Sequence, residues 1–153
     1  MRLIRSTPAE CEAMAIVHAE AFDKPWRDDE FEDLLDGEGI YGFLAAGQDE
    51  TPLGLILCRV AAGEVEVLTL GVASAARRRG VARALLAVAL PAARDLGAAE
   101  AFLEVAVDNS AAIALYDAAG FRRAGLRKAY YDRRPAGFID ALVMRLDLGA
   151  AAA

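Results

Sequence analysis

Histidine is almost missing from this chain. Of 153 residues only His18 is one, which excludes chemistry built on a histidine pair and metal sites that need several imidazoles. Cysteine is nearly as scarce: Cys11 and Cys58 lie far apart with no CxxC spacing, so neither a zinc cluster nor a disulfide framework is expected. No metal is expected, and a reduced, cytoplasmic setting follows. Positive charge is also in deficit, with 17 Lys and Arg against 23 Asp and Glu and a net charge of −6. That argues against a nucleic-acid partner held by phosphate neutralisation. No run of eighteen apolar residues occurs, and MRLIRSTPAE carries no signal-peptide pattern, so neither a membrane partner nor export is expected. The nucleotide-binding patterns GxGxxG and GxxxxGK(S/T) are absent too.

What is present is apolar bulk. At 56% hydrophobic residues, a chain of this length can remove roughly 70% of its unfolded surface from water in one core. The expectation is one domain over residues 1–148 and a frayed Ala-rich tail over 149–153. Val/Ile/Leu-rich runs alternate with Ala/Leu-rich stretches at helical spacing, the pattern of a mixed α/β domain. Thr7-Pro8 predicts a capped first helix over about Pro8 to Phe22, with Met14, Val17, His18 and Ala21 on one stripe. Asp28 is placed to cap a second, short helix carrying Phe31, Leu34 and Leu35, stopped by Gly37 and Gly39. Ile40–Ala46, Leu53–Val60 and Glu64–Val72 then read as an antiparallel meander. A helix follows from Gly80 to Leu96, with Pro91 inside it expected to kink it or to cost about 3 kcal/mol. Ala101–Val107 is the most apolar strand candidate and is predicted to be central. Ser110 is predicted to cap a helix ending at Gly120, and strands near Phe121–Lys128 and Phe138–Leu146 complete the set.

Two segments carry chemistry. In the first, Leu68–Val72 runs through a basic loop into a helix N-terminus at Gly80, where unpaired backbone N–H groups and the helix dipole favour an anion. Gly80 lets backbone approach a pyrophosphate closely, and Arg77, Arg78 and Arg79 add charge. Alone, this loop reads better as a solvated basic turn. In the second, Phe102, Glu104 and Ala106 share one strand face, so Glu104 is a carboxylate among apolar neighbours, and burial would raise its pKa toward that of a usable general base. Tyr116 lies two turns into the next helix, and a phenol with an unperturbed pKa near ~10 stays protonated and can donate. Both also fit bland roles, a solvated carboxylate and a core aromatic. Their position after an anion cradle favours the functional reading.

The pattern Arg77-x-x-Gly80-x-Ala82 resembles the Q/R-x-x-G-x-G/A loop of the GNAT superfamily of acetyl-CoA-dependent N-acetyltransferases. LEVAVDNSAAIALYDAAGF (103–121) and RKAYYDRRPAGFIDALVMRLDL (127–148) are similar to the RimI-type subfamily, which acetylates the N-terminal alanine of a ribosomal protein. The resemblance implies a GNAT fold, a mixed and mostly antiparallel sheet of about seven strands flanked by about four helices. It further implies that the backbone of Leu70, Gly71 and Val72 pairs with the pantetheine arm of acetyl-CoA, that Arg78, Arg79, Gly80, Val81, Ala82 and Arg83 surround the pyrophosphate, and that Asn109 contacts the cofactor. Glu104 takes the place of the proton acceptor and Tyr116 that of the proton donor. Three positions depart from similar sequences: Pro91 in the helix; Gly71, read as marking a bulge that opens the strands; and Asp132, where a proline is common.

The reaction so implied is direct attack by a protein α-amine on the thioester. The acceptor would be a protein N-terminus, foremost a ribosomal protein. Acetylation of a small-molecule amine or a lysine, or a non-catalytic acyl-CoA-binding module, remain as alternatives. Trp26 and Tyr130-Tyr131 read either as lining an acceptor groove or as core. Segment 28–38 holds seven acidic residues and no basic one, so the rest of the chain is close to neutral. That patch is either a solvated helix face or a lure for a basic peptide terminus.

Overall fold

The first strand is one that hydrophobic patterning does not announce. β1 (Arg2–Arg5) is a four-residue edge strand, charged at both ends, that pairs antiparallel with β2 (Ile40–Ala46). In the computed structural model, which describes residues 1–149, it is the seventh strand of a sheet for which the sequence supplies six candidates. Of the expected frayed tail only Gly149 is described; residues 150–153 lie outside the described residues. After β1, the Thr7 hydroxyl accepts from the Ala9 N–H at 3.2 Å while Glu10 accepts from the Thr7 N–H at 2.7 Å, a reciprocal capping box. The first turn, Pro8–Glu10, is 3-10, and α1 (Cys11–Ala21) continues from it, ending one residue before Phe22.

The cap of α2 (Asp28–Leu35) lies one position earlier than expected. Arg27 occupies the cap position and Glu30 reaches back to its N–H at 3.3 Å, so Asp28 is the first helical residue. β2, β3 (Pro52–Ala61) and β4 (Glu64–Val72) form the expected antiparallel meander, and α3 (Val81–Asp95), β5 (Glu100–Ala106), α4 (Ser110–Ala118), β6 (Arg122–Asp132) and β7 (Phe138–Asp147) complete the chain. The strand order is β1-β2-β3-β4-β5-β7-β6, antiparallel throughout except for the parallel pair β4–β5. This is the mixed, mostly antiparallel seven-stranded sheet with four helices that the family resemblance implies.

Both faces of the central strands are covered, which explains their unbroken apolar runs. In β3, Ile56 and Cys58 enter the core shared with α3 and α4, while Leu55 and Leu57 enter the one shared with α1 and α2. Pro91 does not break α3, which is continuous from Val81 to Asp95. Its missing N–H would have met the carbonyl of Ala87, and both residues are exposed, so water can take the freed acceptor. The α4 cap also shifts by one: Asn109, not Ser110, holds it, with its Oδ1 accepting from the Ala112 N–H at 3.2 Å.

The sheet is split where β4 meets β5. These strands pair only at Glu64↔Glu100, Val65↔Ala101 and Glu66↔Phe102; beyond that β4 stays with β3 as far as Val72, and β5 with β7 as far as Ala106. The cause is local. Opposite β3, Leu57 pairs with Thr69 but Cys58 pairs with Val67, so Leu68 is an inserted residue in β4. Such a bulge bends and over-twists its strand. It also turns two successive side chains to one face, since Leu68 packs with the α1–α2 cluster and Thr69 bonds to α1. The bulge is therefore at Leu68, not at Gly71. Gly71 serves another purpose: a Cβ there would lie 3.0 Å from the Phe22 ring and 3.1 Å from the Ala21 Cβ, so its bare backbone lets the end of α1 sit close on β4.

Candidate active site

The split opens a cleft of roughly 510 Å³ running between the two faces of the sheet. Leu70, Glu104, Asn109 and Tyr116 all line it, together with Phe22 and Tyr130. Four residues singled out from the sequence, from three strands and helices, thus converge on one space. Gly71 and Val72 continue the β4 wall, with Val72 packed toward the α3 core. Residues 77–83 follow the end of β4 and do not themselves line the cleft.

Those residues form an exposed basic loop that leads into α3. Gly80 caps α3 at φ +78, and nothing lies within 4 Å of where its Cβ would be. Only glycine holds that φ cheaply and leaves the space open. Arg78 also has a positive φ, +64, a conformation that costs a non-glycine residue energy and is met most often at functional loops. Arg77, Arg78 and Arg79 are exposed, and neither they nor Arg83 has an ion-pair partner among the described residues. Val81 is buried and anchors the helix start; Ala82 is half-buried. Unpaired cations beside free helix N–H groups suit a polyanion such as the pyrophosphate of acetyl-CoA.

Glu104 is not the lone carboxylate among apolar neighbours that the strand alternation implies. Its Oε1 accepts from Arg127 Nη1 at 2.5 Å, its backbone carbonyl accepts from the Tyr131 hydroxyl at 3.0 Å, and its side chain is 19% exposed. The neighbouring Glu104 carboxylate pushes the Tyr130 phenol above its usual value, and burial pushes Tyr131 up to about 12. Tyr116 is buried against Phe121, and burial raises its phenol well above the ordinary value. It therefore stays protonated, as expected, but surrenders its proton reluctantly. A thiolate whose conjugate acid has a pKa near ~8.5 would receive a hydrogen bond from Tyr116 more readily than a proton.

His18 is the core residue that its helical stripe predicts, and it also holds one wall of the cleft. The ring is 3% exposed and stacked between Phe22 and Trp26, at 4.3 and 4.9 Å. Nδ1 accepts the Trp26 N–H at 3.0 Å, so in the neutral ring Nε2 carries the proton and donates to Thr69 Oγ1 at 3.1 Å. Burial lowers its pKa from 6.5 to about 4. The folded state thus favours neutral imidazole; that stability is complete above pH 6.5 and is lost as pH falls toward 4, in all roughly 3 kcal/mol. Urea unfolding midpoints should fall across this window in the wild type and less so in His18→Gln. Parallel curves would exclude His18 as the source.

Tyr130 and Tyr131 do line the cleft, as does Trp26. Asp132, the departure from proline, accepts from Arg134 at 3.0 and 2.8 Å and pairs with Lys24 at 3.1 Å, bridging the loop after α1 to the turn after β6 at the cleft mouth. The carboxylates of α2 do not line the cleft. Cys11 and Cys58 are buried and free, and burial raises both thiols. Among the described residues no helix is long and apolar enough to cross a membrane, and no cluster of ligating side chains could hold a metal ion.

Comparison with known proteins agrees with this geometry. Residues 10–121 match the acetyltransferase (GNAT) family. The chain is 38% identical over 149 residues to the N-alpha-acetyltransferase RimI of Mycobacterium tuberculosis, covering 94% of this chain and 90% of that protein. The crystal structure of the ribosomal-protein-S18-alanine N-acetyltransferase from Escherichia coli superposes with a TM-score of 0.86 at 28% identity, over 99% of this chain and 97% of that one. Arabidopsis thaliana NAA60 in complex with acetyl-CoA shares the fold, with a TM-score of 0.80 at 20% identity over 95% and 98% of the two chains. With a split sheet, a basic loop at a glycine-capped helix start and a family match over most of its length, this chain belongs to the GNAT family of acetyl-CoA-dependent acetyltransferases.

Proposed function

We propose that the domain over residues 1–148 transfers acetyl from acetyl-CoA to the α-amine of a protein N-terminus in the cytoplasm, with a ribosomal protein as the foremost acceptor. The observation that carries this reading is the convergence of Glu104 and Tyr116 on one cleft between the separated strands. The Mycobacterium tuberculosis relative is named as an N-alpha-acetyltransferase and the Escherichia coli one as acting on ribosomal protein S18 alanine, which supports an α-amine acceptor.

The donor's phosphates lie against Arg77, Arg78, Arg79 and Arg83 and the backbone of Gly80, Val81 and Ala82. Its arm adds to the free edge of β4 at Leu70–Val72, with Asn109, whose Oδ1 is engaged in the helix cap, offering its amide N–H groups. An α-ammonium, with a pKa of about 7.7–8.0, needs little help to lose its proton near neutrality. Glu104 accepts that proton, directly or through water. The neutral amine attacks the thioester carbon, the new C–N bond forms, the C–S bond breaks to release coenzyme A thiolate, and the second proton shed by the nitrogen passes to that thiolate or to solvent. Tyr116 hydrogen-bonds the departing sulfur. The acidic face of α2, outside the cleft, draws a basic N-terminus at longer range.

Incubating the protein with acetyl-CoA and an N-terminal peptide of a small-subunit ribosomal protein, followed by fragment-ion mass spectrometry, tests this. Acetyl is expected on the α-amine. Acetyl found solely on lysine side chains would reject the acceptor assignment, and no transfer to any amine would reject catalysis.

A further inference from the structure

Arg127 is absent from the roles above, yet it makes the shortest contact of the carboxylate taken to be the base. It stands on β6, two strands away from Glu104 on β5, and its guanidinium reaches across β7 to Glu104 Oε1 at 2.5 Å. A bulge in β6 begins just after it. Arg127 pairs with Ala141 and Tyr131 with Ile139, so the intervening segment is longer by two residues than its partner. Asp140 secures that bulge by accepting the Ala129 N–H at 2.7 Å, and Ala129 has φ +51. The bulge brings Tyr130 under the guanidinium, 4.9 Å from carbon to ring centroid.

Glu104 stands at a junction. The cleft reaches it from one side, and from the other comes a second, open groove of roughly 410 Å³ bounded by Arg59, Glu66, Phe102 and Arg127. Arg127 approaches along this second groove. Its side chain is 55% exposed against 19% for Glu104, so it is the partner with room to leave. Arg59, the other cation of the groove, is already engaged by Glu66 at 2.8 Å.

We propose that Arg127 is a resident counter-ion of Glu104, held there while the acceptor site is empty and exchanged for the acceptor's α-ammonium when it binds. The inference rests on the assignment of Glu104 as the group that meets the acceptor amine. Two cations cannot share one carboxylate without mutual repulsion. An anion still paired with guanidinium is also a poor proton acceptor. The arriving ammonium displaces Arg127 into the open groove, leaves Glu104 free to take its proton, and departs as a neutral amide. Glu104 releases its proton to solvent and Arg127 returns to it. Arg127 is thus a positioning residue that occupies the carboxylate between turnovers.

The test compares dead-end complexes with coenzyme A, measuring Kd for an acceptor peptide with a free α-amine and for the same peptide already Nα-acetylated. Arg127→Met should tighten the free-amine peptide roughly fivefold relative to the blocked one, since no resident cation must be displaced. Arg127→Lys, which restores a cation, should bring the ratio back toward wild type. Melting temperatures report on folding of each variant. If both peptides change by one common factor, or neither changes, the exchange is refuted. Glu104→Gln turning over at the wild-type rate would instead overturn the base assignment, an outcome read in a separate assay.

Discussion

Glu104→Gln is expected to lower kcat about 100-fold while leaving acetyl-CoA binding intact, the scale of loss when a positioned general base is removed. The substitution keeps the shape of the side chain and its place on β5. It removes the negative charge, and with it the pairing to Arg127 at 2.5 Å. The fold should tolerate this, since Arg127 is more than half exposed and gains water in place of the carboxylate. Donor binding should survive because the arginines of the cradle and the backbone edge of β4 do not touch Glu104. The measurement is steady-state turnover at saturating donor, beside a thermal-shift titration with acetyl-CoA. Retained turnover would remove Glu104 from the mechanism, and a lost thermal shift would mean that the variant damages the donor site instead.

The second large effect lies on the donor side. Replacing Arg78, Arg79 and Arg83 together by Ala should raise KM for acetyl-CoA about 100-fold with kcat little changed, since each charge-assisted contact to phosphate contributes several-fold in affinity. The three side chains have no partner of their own to abandon among the described residues, so their loss subtracts from ligand binding and not from folding. A truncated acetyl thioester carrying the pantetheine arm but no phosphate supplies the control. Its KM should be the same for wild type and variant. If the triple variant weakens both donors equally, the cradle is not where the phosphates lie. The wild-type advantage should also shrink as salt rises, because these charges are solvent-exposed.

The legible part of this molecule is the part set by neighbours in sequence. The β3 run from Leu53 to Val60 is a mainly apolar strand, and Thr7 before Pro8 spells out a helix cap, so both features appear in the chain where the structure has them. The six longer strands and four helices follow from such local signals. β1 does not, because RLIR is four residues with arginine at either end and becomes a strand only by pairing with β2. Caps slip by one position where adjacent residues compete, as Asn109 and Ser110 do. The bulge at Leu68 is invisible in VLTLG, since an apolar run reads alike whether or not one residue is inserted; only the register against β3 reveals it. Glu104 and Tyr116 are legible as candidates from a contiguous strand–turn–helix, and Asn109 through the family resemblance. Arg127 was not, because its contact with Glu104 crosses an intervening strand and joins residues 23 apart.

The short pairing between β4 and β5, three residue pairs and then divergence, leaves a strip of main chain whose donors and acceptors face an opening. Whatever threads that opening is gripped by groups that every residue type except proline presents alike. Substitution along β4 can alter packing but not this lettering of N–H and C=O, so what this strip recognises is buffered against drift in sequence. The rest of the lining is built from side chains, Phe22, Trp26, Tyr130 and Asp132 among them, and each can be exchanged singly. Such a division lets a lineage keep one currency of acyl donor while trying out new amines.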